Sequence, residues 1–111
     1  MEIEVRQCGA VSVVKPIGAI KGSDADKVAA TLNEAIRVNL GRVVLDASSV
    51  PMIDSQGLGA MVGVTRELAQ SGKPLKLSAM SETVRQVFEL TGISPLFEMF
   101  DDANSAVRSY L

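Results

Sequence analysis

The order of periodic segments predicts an α/β fold: a single-domain mixed sheet of about five strands, mostly parallel with an antiparallel N-terminal hairpin strand, and about four helices. Three observations carry this. Apolar, β-branched runs alternate with amphipathic stretches, a glycine stops three of the four helical stretches, and the connections are short enough to require right-handed crossovers. The 111 residues suit one domain, 1–111, and 47% apolar against 22% charged residues is the composition of a chain that folds.

Ile3 and Val5 alternate with charged neighbours, Cys8-Gly9-Ala10 offers a turn, and Val11 to Ile17 is a second apolar run, so the chain opens as a hairpin. Ser23, three residues before Asp26, resembles a capping-box helix start, and Val28, Leu32, Ile36 and Leu40 repeat every fourth position until Gly41. Val43-Val44-Leu45, closing at Asp46, reads as a central strand covered on both faces. After a loop from Ala47 to Ile53, the residues Leu58, Met61, Val62, Thr65, Leu68 and Ala69 mark a second helix that Gly72 stops. Leu75, Leu77 and Ala79, alternating with Lys76 and Ser78, predict a strand, and Val84, Val87, Phe88 and Thr91 a helix ended by Gly92. Leu96 to Phe100 is a short last strand, and Asp101 caps a last helix whose inner face is Ala103, Ala106, Val107 and Tyr110. Periodicity alone leaves open whether the helices lie on one face of the sheet or both.

The absent residues narrow the function. Without histidine, and with Cys8 the one cysteine, the chain lacks the parts for Ser-His-Asp or Cys-His catalysis, histidine phosphotransfer or a usual zinc site, so we expect no enzyme and no metal. Eleven basic and thirteen acidic residues give a net charge of −2 with no run of like charges, which argues against nucleic acid. No stretch approaches the ~20 apolar residues of a membrane span, and the N-terminal alternation is not a signal-peptide pattern, so the expectation is a cytoplasmic protein without membrane insertion.

In open sheets with crossovers, sites gather where strands end and helices begin. Here that is the segment from Asp46 to Gly59. Gly57, Gly59 and Gly63 each cost a helix about 1 kcal/mol relative to Ala, so something must compensate. Gly59 and Gly63, four apart, predict close packing of the helix on the sheet. Gly57, two residues after Ser55, predicts a helix entrance cleared of bulk so that a second protein can reach the Ser55 hydroxyl. Asp54 and Ser55 by themselves also read as a simple N-cap.

Leu45-Asp46, Ser49-Val50, Ile53-Asp54-Ser55 and Gly57-Leu58-Gly59 resemble the signature of the STAS domain of bacterial anti-sigma-factor antagonists, and the order of elements resembles that family over the whole chain. The resemblance implies a STAS-like fold and a partner-switching regulator with no cofactor of its own. Unphosphorylated, it binds an anti-sigma factor that is also a serine kinase; phosphorylation releases it, and a PP2C-type phosphatase resets it. Carried over, the phosphorylated residue is Ser55. The partner surface is Asp54, Gln56, Gly57 and Leu58 with Ala19, Lys21, Ser23 and Asp24 of the preceding loop, and Asp46 and Gly59 are structural neighbours. Gln56 stands where many relatives carry a second hydroxyl, and Lys21 stands where their loops often carry a carboxylate. The alternative is an unphosphorylated STAS-like adaptor in a transport or stress-signalling complex. The expected state is a monomer or weak dimer.

Two other readings fail on residues. A receiver-type aspartyl phosphoacceptor needs an acidic pair after the first strand, where Arg6-Gln7-Cys8 stands, and a lysine after a late strand, where none follows Lys76. A serine hydrolase needs a nucleophile elbow and a base, but Ser55 lies in Asp-Ser-Gln-Gly and there is no histidine.

Overall fold

The computed structural model describes Met1–Leu111. Strand β1 (Glu2–Cys8) turns at Gly9, which takes a positive φ of 62°, into β2 (Val11–Ile17). Then follow α1 (Asp24–Val38), β3 (Val43–Asp46), α2 (Ser55–Ala69), β4 (Leu75–Ser78), α3 (Glu82–Leu90), a 3-10 turn (Ser94–Leu96), β5 (Phe97–Phe100) and α4 (Ala103–Arg108). The five strands lie in sequence order in one sheet; β1 pairs antiparallel with β2, and all other pairs are parallel.

Each crossover advances one strand in the same direction, so right-handedness places α1, α2 and α3 on a common face. There Val28 and Leu32 of α1, Met61, Val64 and Leu68 of α2, and Val84 and Phe88 of α3 join Val14, Val43, Leu45, Leu75 and Leu77 of the strands in the main core. Phe88 meets Phe97 edge to face at 5.2 Å between ring centroids, a contact that contributes about 0.5–1.5 kcal/mol beyond its area. The buried Thr65 hydroxyl donates to the Leu96 carbonyl and accepts from the Leu75 N–H, which joins α2 to the start of β4. α4 follows the last strand and crosses to the other face, where Ala106 closes a second, smaller cluster with Val11, Val13 and Val44. Helices therefore occupy both faces, three against one. No helix is long and apolar enough to cross a membrane.

Several local expectations are corrected by this arrangement. Ser23 lies in helical backbone and its side chain caps nothing; the first N–H groups of α1 instead reach the carbonyls of Lys21, Gly22 and Ser23 three residues back. Leu40 is outside α1, in left-handed backbone at φ 55° and 82% exposed, because the helix closes at Val38 and the chain turns back through Leu40 and Gly41. β4 stops at Ser78, with Ala79 at φ 57°, and its alternation does not separate core from solvent: α4 covers the second face, so Lys76 is buried too. The Lys76 ammonium pairs with Glu98 at 3.1 Å and lies 4.2 Å from the Tyr110 ring centroid. Asp102, not Asp101, caps α4, accepting from Ser105 N–H at 2.7 Å, and Tyr110 lies beyond the helix.

Candidate functional site

The loop after β2 and the loop after β3 run side by side and are joined through the backbone. Gly18 N–H donates to Ser49 O, Ile20 N–H to Met52 O and Asp54 N–H to Ile20 O, with an isolated parallel bridge between Ile20 and Ile53. Ile20, Val50 and Ile53 bury their side chains in the main core and so hold both loops against it. Onto this pair of loops the first turn of α2 is set.

Asp54 is the fastener. Its extended backbone makes it the N-cap of α2: one carboxylate oxygen accepts the Gly57 N–H at 2.9 Å, and the other accepts the Gly22 N–H at 2.8 Å. These backbone donors, Gly57 first and then Gly22, hold the Asp54 carboxyl below the usual carboxylate range. Gly22 reaches the carboxylate from a positive φ of 59°, a conformation that favours glycine. Gly22 carries no sequence signal for this role, because nothing in local spacing says which residue of a loop will meet a carboxylate thirty-two positions away.

With the cap supplied by Asp54, Ser55 is left exposed at the first position of α2, beside the exposed Gln56. Leu58 is half-buried, and Met52, 49% exposed on the neighbouring loop, is an apolar side chain in water that the sequence reading passed over. Across the joined loops, Lys21 and Ser23 are exposed, Ala19 and Asp24 half-buried. The Asp24 carboxylate lies 3.9 Å from the N-terminal ammonium.

The three glycines exchange their expected roles. A Cβ on Gly57 would lie 2.5 Å from the Ile53 side chain and 3.0 Å from the Ile20 carbonyl, so Gly57 is buried and lets the helix seat on the two loops; it clears no outer surface. Gly59 and Gly63 meet nothing within 4 Å and are exposed, so they do not pack on the sheet. Spaced four apart from Ser55, they continue its line along the outer side of α2 as a strip without side chains.

Asp46 is a neighbour in sequence but not in direction. It ends β3 with a turn, its carboxylate accepting the Ser48 N–H at 3.0 Å, and by strand alternation it faces away from α1 and α2. There it lines a small cleft of about 120 Å³ with Glu4, Arg6 and Lys15. No group of three or more His, Cys, Asp or Glu side chains is placed to hold a metal ion.

The model of the STAS domain family matches residues 2–106. An anti-sigma-B factor antagonist of Listeria monocytogenes is 36% identical over 83 residues, covering 74% of this chain and 72% of the relative. Among solved structures, an anti-sigma factor antagonist from Mycobacterium paratuberculosis superposes with a TM-score of 0.82 at 21% identity, covering 97% of this chain and 92% of that one. The Bacillus cell fate determinant SpoIIAA in its phosphorylated form superposes with a TM-score of 0.70 at 20% identity, covering 97% and 99%. At such identities the likeness is one of fold.

Proposed function

The chain belongs to the STAS domain family, and on that premise we propose that it is an anti-sigma-factor antagonist whose surface around Ser55 docks an anti-sigma serine kinase and is released by phosphorylation of Ser55. The observation that carries this is the division of labour between two adjacent residues: Asp54 caps α2, and the Ser55 hydroxyl stands free at the surface. The strip over Gly59 and Gly63 lets a partner's backbone approach α2 closely, and the exposed Met52 and half-buried Leu58 offer apolar contact. Lys21, on the joined loop, adds a cation to the rim.

In the reaction the Ser55 oxygen attacks the γ-phosphorus of ATP held by the kinase; ADP leaves and the hydroxyl proton passes to a base of the kinase. The product carries about −1.5 to −2 charge at the first turn of α2. The helix N-terminus favours that charge by about 0.3–1 kcal/mol, so the domain stays folded. A partner carboxylate ~6 Å away, at an effective dielectric of ~20, is repelled by about 3 kcal/mol per unit charge, which weakens the complex more than a hundredfold. Release therefore needs no refolding. The regulator works in the cytoplasm, and its role is to be bound, not to catalyse.

The test is incubation with ATP and the serine kinase encoded nearest its gene, followed by phosphosite mapping. A single acid-stable phosphate on Ser55, absent in Ser55→Ala, supports the reading. Phosphate on Ser48, Ser49 or Thr65 instead overturns it, as does recovery from the native host of a transporter ATPase and no serine kinase.

A further inference from the structure

β1 leaves one edge of the sheet without a neighbour, and that edge is complementary to itself. Cys8 faces Val11 across the two-residue turn, so Cys8, Arg6, Glu4 and Glu2 exchange backbone hydrogen bonds with β2 while Ile3, Val5 and Gln7 turn their N–H and C=O groups outward. The Ser12 N–H agrees with this parity: Ser12, opposite Gln7, donates to Arg42 O on the far side of β2. Proteins blunt free edges with prolines, bulges or charged side chains; the seven residues of β1 contain no proline, pair with β2 without a bulge, and carry charges of both signs, Glu2, Glu4 and Arg6, that can pair across an edge instead of repelling.

We infer that this edge pairs with the same edge of a second copy of the chain, antiparallel and centred on Val5, so that the two sheets become one. In that register Glu4 of each copy lies opposite Arg6 of the other, Ile3 opposite Gln7, and Val5 opposite Val5. Every residue of β1 then has a partner. Outward-facing residues pair only with outward-facing ones, so the register slips in steps of two. A slip one way sets Glu4 against Glu4, the other way Arg6 against Arg6, and each leaves strand ends unpaired. Opposite charges directly across an antiparallel ladder stabilise it and like charges destabilise it, so the charges select the centred register.

The helix side has room for this. α1 packs over β2 and β3, and between α1 and β1 lies an open groove of about 480 Å³ lined in part by Val5, Ala30, Ala35 and Val38. Val5 is 55% and Val38 59% exposed. A two-fold axis through the Val5 pair, perpendicular to the sheet, puts the α1 helices of both copies on the same side and joins their grooves, withdrawing both Val5 side chains from water. An interface one strand wide is small, so the association is weak and concentration-dependent.

Sedimentation velocity of the full chain over a concentration series tests this. The wild-type chain should show a reversible dimer. Glu4→Arg and Arg6→Glu should each raise the dimer Kd about tenfold or more, since each turns both charge pairs from attractive to repulsive. An equal mixture of the two variants should form a heterodimer, and the double exchange Glu4→Arg/Arg6→Glu should restore a Kd close to wild type. Val5→Pro removes an outward donor that β2 does not use and should abolish the dimer while circular dichroism still reports the fold. A wild-type chain that remains monomeric at concentrations on the order of 1 mM overturns the inference. So does a dimer indifferent to the single reversals, or a mixture of the two variants that fails to associate.

Discussion

The Asp54 carboxylate accepts the Gly22 backbone N–H at 2.8 Å, and together with the Asp54 N–H bond to the Ile20 carbonyl this fastens the loop after β2 to the helix that carries Ser55. The other oxygen of the same carboxylate accepts from Gly57, so a single side chain sets the register of two segments that together form the site.

Asp54→Ala should release both segments. The expected outcome is a lower melting temperature together with loss of amide-exchange protection at Gly22 and Gly57, while the amides of β3 and β4 keep theirs. Unchanged protection at Gly22 would show that the loop holds its place by the Gly18, Ile20 and Asp54 backbone bonds alone.

The same carboxylate makes stability pH-dependent. Its folded pKa is lowered, first by the Gly57 N–H and then by Gly22, so the unfolded chain takes up the proton more readily. The contribution is therefore present above the ordinary carboxylate range and is lost as pH falls through the lowered folded value. Asp102, lowered by Ser105 first, acts in the same sense. Asp54→Asn should narrow its stability gap to wild type as acid is added, measured by urea unfolding across a pH series.

Ser55→Asp should weaken binding of the kinase by on the order of a hundredfold and leave the melting temperature within a degree or two of wild type, since the substituted side chain is exposed at a helix N-terminus. Ser55→Ala should bind as wild type and accept no phosphate. Calorimetric titration and thermal melts separate the two effects.

The glycines of α2 predict opposite signs for one substitution. Gly57→Ala brings a methyl group within 3.0 Å of the Ile20 carbonyl and closer still to Ile53, and should cost about 1–3 kcal/mol. Gly63→Ala meets nothing and should stabilise by up to about 1 kcal/mol, raising the melting temperature by a few degrees. If Gly59→Ala weakens kinase binding without harming the fold, the open strip is part of the docking surface.

The alternation of strands and helices was legible because each element carries its own local pattern: the short β-branched run Val43-Val44-Leu45 suits an interior strand, and Val28 and Leu32 mark the inner side of α1 wherever α1 packs. The segment holding Ser55 was legible because three glycines early in one helix are costly and conspicuous. Which glycine touches what was not, since Gly57 and Gly63 differ only in what lies across from them, and Ile20 and Ile53 arrive there from other parts of the chain. The burial of Lys76 is illegible for the same reason, because α4 comes last and covers a face that alternation alone assigns to water. Local propensity and periodic burial, both written in the chain, give the elements and their order and point to the segment from Asp46 to Gly59 as the candidate site. That Asp54 places both its oxygens on backbone donors and leaves Ser55 exposed emerges only on folding, because a hydrogen bond between residues thirty-two apart depends on where two loops meet in space.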